Sequence, residues 1–207
     1  MLNDTTNINE LITSAQNFGC DGLKLFADIS GENAKRIIAE AKKQGLPIWS
    51  HGTLFEASPW NIIGSHSFSH ADFFNFVTIE PVPDYKTFQE SYTEVFDLTT
   101  ISSSKMENYL DLLKQNNTVL DATLSVYEQA GPNEQDVVDF AHKVTKFTFS
   151  KGVKIGAGVD AFNDDIQANN FTLLKELTLL KDVTSMTEMD VVKVATINYA
   201  IAIGIDD

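Results

Sequence analysis

One cysteine and one arginine in a chain of 207 residues already narrow what this protein can be. Cys20 has no partner for an internal disulfide, and without a CxxC pair there is neither a thiolate zinc cluster nor a dithiol redox site. Arg36 stands beside fourteen lysines and 29 acidic residues, giving a formal net charge of −14. With no basic patch and no interleaving of arginine and aromatic residues, nucleic acid is excluded as an expected partner. No apolar run approaches the roughly 18 residues a membrane span requires, so no membrane partner is expected. The opening MLNDTTNINE is polar and acidic and does not resemble a signal peptide. Cytoplasm is therefore the default compartment for this chain, although a longer parent could have carried an export signal upstream. Low-complexity tracts and fixed-period repeats are also missing, and a 43% hydrophobic content suffices for one core. The expected organisation is a single domain over residues 1–207.

What is present is an alternation of helical and extended patterns. Residues 7–18 read as an amphipathic helix opened by an Asn7/Glu10 capping pair and stopped at Gly19. A short strand is expected over 23–27, a helix over 32–44 and a second strand over 47–51. A short helix at 56–63 and a strand at 67–71 precede a long, aromatic-rich and partly helical excursion over 72–104. A helix at 105–115, a strand at 118–124, a helix at 134–150 and a strand at 153–160 follow, and two helices, 171–181 and 187–203, close the chain. Five strands separated by helices, with no hairpin signal, point to parallel βαβ units. Because no GxGxxG follows the first strand, a dinucleotide-binding sheet is disfavoured. A flavodoxin-like open sheet would want phosphate-binding glycines there, and DISGEN offers only Gly31. A complete (β/α)8 barrel takes about 250 residues and eight strands. The expected fold is therefore α/β, a partial (β/α)8 TIM barrel of five parallel strands with covering helices, equivalent to its C-terminal part.

Four polar residues fall on or at the ends of the expected strands: Lys24, His51, His70 and Asp160. In a barrel the C-terminal strand ends converge on one mouth, where catalytic groups collect. Two histidines and a carboxylate from separate strands suit a divalent metal such as zinc. Lys24 lies within the apolar run GCDGLKLF. Alternation places Gly22, Lys24 and Phe26 on one strand face and Leu23 and Leu25 on the other. A buried lysine loses pKa by up to roughly 3–5 units, and the neutral amine can add CO2 to become a carbamate, which ligates metal as an ammonium cannot. The alternative for Lys24 is an edge lysine whose stem lies on apolar surface with its ammonium in water.

At these residues the chain resembles the amidohydrolase family of metal-dependent hydrolases, in its imidazolonepropionase- and prolidase-like branch. GCDGLKLFA is similar to the family strand with a carboxylated lysine, here Lys24. AKKQGLPIWSHG resembles the segment that delivers a metal-binding histidine, here His51. IIGSHSFSHA resembles the segment with a glycine six residues before a second such histidine, here Gly64 and His70. KGVKIGAGVDAF resembles the last strand, whose aspartate ligates metal and handles the proton of the attacking water, here Asp160. The resemblance spans nearly the whole chain in motif order. It implies cleavage of an amide, cyclic amide or dipeptide C–N bond of a small-molecule substrate, with one or two divalent ions, zinc foremost, and a carbamate on Lys24.

Two departures qualify it. No HxH pair precedes Lys24, so the chain is expected to be a fragment lacking about the first three strands, inactive alone and self-associating through open sheet edges. Also, Gly158-Val159-Asp160 replaces the family's Gly-Thr-Asp, which removes a hydroxyl beside the aspartate. Candidate substrate contacts are His66, on the His70 face if the strand is regular, and Thr123 and Tyr127 after the fourth strand. Cys20, just before the first strand, is expected to be a small buried hydrophobe, and His142, inside a charged helix, a surface residue. Phe73, Phe74, Phe76, Tyr85 and Phe88 could form a lid over the mouth or simply pack an insertion. A non-catalytic, barrel-derived scaffold or small-molecule binder is the competing reading, favoured by the missing HxH.

Overall fold

A computed structural model of the chain describes residues 5–55, 57–90, 96–128, 134–160 and 173–205. The first described helix, α1 (Ile8–Asn17), is capped by the Asn7 side chain and buries Ile8 and Ile12. Strand β1 (Leu23–Leu25) leads to α2 (Gly31–Lys43), capped by Ser30, and then to β2 (Ile48–His51). The stretch expected to be helical at 56–63 is a 3-10 turn, Pro59–Ile62, with proline at its first position; Glu56 lies outside the described residues. Strand β3 (Ser67–Ser69) is followed by a second 3-10 segment, Asp72–Val77, by α3 (Tyr85–Glu90) and by a third, Leu98–Ser102. Then come α4 (Ser104–Gln115), β4 (Val119–Asp121), α5 (Leu124–Tyr127), α6 (Gln135–Ser150) and β5 (Lys154–Gly156). Helices α7 (Leu173–Thr184), α8 (Glu188–Ala195) and α9 (Ile197–Ala202) complete the described chain.

The sheet has five strands in the order β1-β2-β3-β4-β5, every neighbouring pair parallel. This sequential order is that of a barrel wall and differs from a doubly wound sheet, whose strand order reverses at a switch point. The fold is thus the expected α/β partial barrel. Several expected bounds need correction: the first, third and fifth strands end at Leu25, Ser69 and Gly156 rather than at 27, 71 and 160. The fourth strand ends at Asp121 rather than residue 124, because Leu124 already begins α5. The helix expected over 187–203 breaks at Thr196, where φ is −134° and ψ −89°. The start of the helix expected at 171 lies outside the described residues, and α7 continues to Thr184.

Alternation sorts the sheet into two faces. Leu25, Ile48, Phe68, Leu120 and Ile155 join the main core with Ile37, Ile38 and Ala41 of α2, Tyr109, Leu110 and Leu113 of α4, and Phe140 and Val144 of α6. The other, inner face is polar. The registers align Lys24, Trp49, Ser67, Val119 and Lys154 in one row, and His51, Ser69, Asp121 and Gly156 in the next. Helix α9 lies over this face. Tyr199 approaches the Trp49 ring at 6.2 Å between centroids, and its own ring fills the space a Cβ on Gly156 would enter. Asn198 Nδ2 donates to the Ile155 carbonyl at 2.7 Å, which satisfies one backbone group of β5. No helix among the described residues is long and apolar enough to cross a membrane.

Candidate active site

The C-terminal strand ends bring the four sequence-selected residues together. His51 ends β2 and His70 follows β3, and their rings meet edge to face with centroids 4.7 Å apart. Asp160, four residues beyond β5, places Oδ2 3.4 Å from His70 Nε2. Both His70 and Asp160 adopt positive φ, 75° and 46°, the sparsely used left-handed region that clusters at functional sites. Lys24 Nζ donates to Ser69 Oγ at 2.9 Å and lies 5.0 Å from the centre of the Trp49 ring; Trp49 Nε1 donates to the same Ser69 oxygen.

Electrostatics keep the two imidazoles neutral. Burial, with the neighbouring His70 and Lys24, depresses His51 to about 3, against a smaller opposing pull from Asp160. Burial and Lys24 depress His70 to about 4. Lys24 departs from the expected picture of a fully buried lysine. The residue is exposed, with no described strand beyond β1 to cover it. Loss of hydration at Nζ still lowers its pKa, opposed by the charges of Asp121 and Asp160.

The three candidate substrate residues fare differently. Thr123 joins the site: its Oγ1 lies 2.9 Å from His70 Nδ1, and the residue is buried at φ 52° and ψ 40°. Tyr127 stands behind it, buried, with its hydroxyl donating to Asp72 Oδ1 at 2.5 Å and accepting from the Asp72 amide. His66 is not brought to the mouth. It precedes β3, at the opposite end from His70, and its Nδ1 accepts the Ile48 N–H at 3.1 Å. Alternation could give the two histidines one face, but four residues at about 3.3 Å each separate them along the strand, so His66 stays at its N-terminal end. Phe73, Phe76 and Phe88 pack with Phe55 into a separate buried cluster, and Phe74 belongs to the main core. Phe73 alone of these touches both site histidines, at 5.4 Å from His51 and 5.6 Å from His70. Cys20, expected to be buried, is exposed.

The structure adds residues that no motif flagged. Asp121 ends β4 almost fully buried, accepts the Gly158 N–H at 2.5 Å and the Tyr199 hydroxyl at 2.9 Å, and is pushed up to about 6 by burial. Glu176 of α7 is wholly buried and pushed up to about 7 by burial, against hydrogen bonds from Ser125 and Leu124 that pull it down. Asp121 fell inside the strand expected over 118–124, and only the structure ends that strand at Asp121. Glu176 sits in an ordinary amphipathic helix and had no sequence signal.

A divalent ion is implied by the family resemblance, and the side chains fit it in part. His51 Nδ1 is buried without a hydrogen-bond partner, and both rings are held in the neutral form a metal requires. As the side chains stand, however, no group of three or more His, Cys, Asp or Glu among the described residues is arranged to hold a metal ion.

No family model matches the chain, and no curated protein matches it. The fold does recur in larger proteins of solved structure. An A. niger ochratoxinase matches with a TM-score of 0.64 at 18% identity, over 95% of this chain and 43% of its own. A Xaa-Pro dipeptidase matches with a TM-score of 0.64 at 19% identity, over 97% of this chain and 48% of its own. A bottromycin amidohydrolase matches with a TM-score of 0.63 at 13% identity, over 100% of this chain and 52% of its own. The chain therefore spans about half the length of these structures, and at such identities the likeness establishes the fold.

Proposed function

We propose that this chain is part of a metal-dependent amidohydrolase that cleaves an amide, cyclic amide or dipeptide C–N bond of a small-molecule substrate. The observation that carries the reading is the convergence of His51, His70, Asp160 and Lys24 at the strand ends, with both imidazoles neutral. It is supported by the fold shared with an ochratoxinase, a dipeptidase and an amidohydrolase. His51, His70 and Asp160 would hold the ion, and Lys24 would join as a carbamate. A bound ion supplies a Lewis acid for the substrate carbonyl and a water of lowered pKa. Asp160 takes the proton from the attacking water and passes it to the leaving nitrogen. Thr123 fixes one ring nitrogen of His70. The chain alone is proposed to be inactive, since an HxH pair is absent from it.

The open outer side of β1 supports self-association, because no described strand lies beside it. Sedimentation of the purified chain tests this, and a concentration-independent monomer would refute it.

The second reading is a non-catalytic scaffold or small-molecule binder, favoured by the lack of a preformed metal cluster among the described residues. Metal content per chain, measured on protein purified without chelator beside Lys24→Ala and His51→Ala, separates the two. About one equivalent of zinc, iron or manganese, lost in both variants, supports the hydrolase reading. A metal-free parent chain that stays metal-free when offered zinc favours the binder.

A further inference from the structure

Glu176 takes no part in the chemistry above, yet it is fully buried, an expensive place for a carboxyl group. Its two oxygens accept two consecutive backbone N–H groups, Oε1 that of Leu124 at 2.8 Å and Oε2 that of Ser125 at 2.7 Å. Those residues open α5, and the residue before them is Thr123. A β-branched residue at φ 52° and ψ 40° is strained and persists only where its surroundings over-determine it. The bidentate grip of Glu176 supplies that constraint from a different helix, α7.

Thr123 then fixes His70, because its hydroxyl lies 2.9 Å from Nδ1. On the far side of the ring the Asp160 carboxylate lies 3.4 Å from Nε2. A carboxylate oxygen there favours the proton on Nε2, which makes Thr123 the donor to Nδ1. A threonine hydroxyl can also accept, so the same residue would support the opposite tautomer once Nε2 is needed as a lone pair. Only the placement of the Thr123 hydroxyl has to be held fixed, and nothing in the Thr123 backbone preference holds it. We propose, resting on the reading of His70 as a site residue, that Glu176 is the positioning residue for His70: by clamping the Leu124 and Ser125 amides it locks Thr123 in its left-handed conformation, and through the Thr123 hydroxyl it fixes the orientation of the His70 ring, on which the tautomer favoured by Asp160 depends.

The test is the tautomer signature of the His70 ring nitrogens, read by long-range proton–nitrogen correlation on the full chain, histidine-labelled and chelator-treated, at pH 8. The parent shows a fixed tautomer, with its two ring nitrogens widely separated in shift. Glu176→Gln can accept through only one oxygen, and Glu176→Asp keeps the charge but withdraws the carboxyl by one methylene. Both narrow the His70 separation toward that of a freely exchanging imidazole, whereas Thr123→Ser leaves it unchanged. Thr123→Val narrows it as Glu176→Gln does, and the double variant Glu176→Gln/Thr123→Val adds nothing further. A Glu176 that merely stabilised the fold would lower the unfolding midpoint and leave His70 unmoved. Unchanged His70 signals in either folded Glu176 variant, or additive shifts in the double variant, overturn the proposal. Zinc content of separate, untreated samples reports on the hydrolase reading independently, because the tautomer is read on metal-free protein.

Discussion

Tyr199 donates its hydroxyl to Asp121 Oδ1 at 2.9 Å, a contact between residues 78 positions apart that ties α9 to the end of β4. The bond places an aromatic ring over the inner face of the sheet, against Trp49 on one side and Gly156 on the other. It also moderates Asp121, whose burial drives its pKa up while the phenol and the Gly158 amide pull it down. Removing the phenol by Tyr199→Phe should therefore raise Asp121 further above about 6. Carboxyl carbon shifts followed against pH report the change, and an Asp121 titration unmoved or lowered in the variant would contradict this arrangement.

Gly158 has no room for a side chain. A Cβ there would overlap the Asp121 carboxylate, which accepts the Gly158 amide at 2.5 Å. Gly158→Ala must push back the strand end or break that hydrogen bond, with an expected loss of about 1–3 kcal/mol. Urea denaturation measures it, and a cost below about 0.5 kcal/mol, ordinary for a tolerant surface position, would show that the approach is not tight.

The site histidines should resist protonation. His51 and His70 are depressed to about 3 and about 4 from an ordinary value of 6.5. A depressed group binds its proton less readily in the folded state, so its contribution to stability is present above pH 6.5 and is lost as pH falls through about 4 to about 3. Imidazole proton shifts of His51 and His70 should stay at their neutral positions at pH 5.5, where a free histidine is mostly charged.

Glu176 and Asp121 act in the opposite direction. Their folded values, about 7 and about 6, are raised from 4.5 and 3.8. Their contribution is fully present below about pH 4 and is lost as pH rises through about 6 to about 7. Between pH 4 and 6.5 the carboxyl and histidine effects oppose each other. Glu176→Gln removes one of the groups that ionise on the alkaline side, so from pH 5 to pH 8 the stability of the variant relative to the parent should shift in the variant's favour. Thermal unfolding across that range decides it, and a variant that loses stability relative to the parent as pH rises would reverse the sign assigned here.

In the main core, Phe68 is fully buried on β3 and lies nearly parallel to the Tyr109 ring, at 6.4 Å between centroids. Phe68→Ala should cost about 3–5 kcal/mol, a large share of the roughly 5–15 kcal/mol that holds an ordinary domain folded. Loss of a cooperative unfolding transition, or a midpoint lowered in proportion, would agree with that; an unchanged midpoint would not.

Local chemistry along the chain was enough to set the alternation of strands and helices and the polarity of each sheet face. Cap residues such as Asn7 and Ser30 bond to amides three positions away, and strand alternation sends Leu25 into the core and Lys24 to the inner face. The strand ends named Lys24, His51, His70 and Asp160 before any contact was known, because a parallel sheet aligns its C-terminal ends. Tertiary structure alone decided the rest. His66 and His70 lie at opposite ends of a strand only three residues long, a boundary fixed by pairing with β2 and β4 and invisible in the pattern SHSFSH. Lys24 is exposed with no described strand beside β1, and Asp121 and Glu176 owe their high pKa values to burial. Periodicity reports which side a residue faces over a few positions. Burial, desolvation and the partner of a buried carboxyl depend on contacts across dozens of residues, and those exist only once the chain has folded.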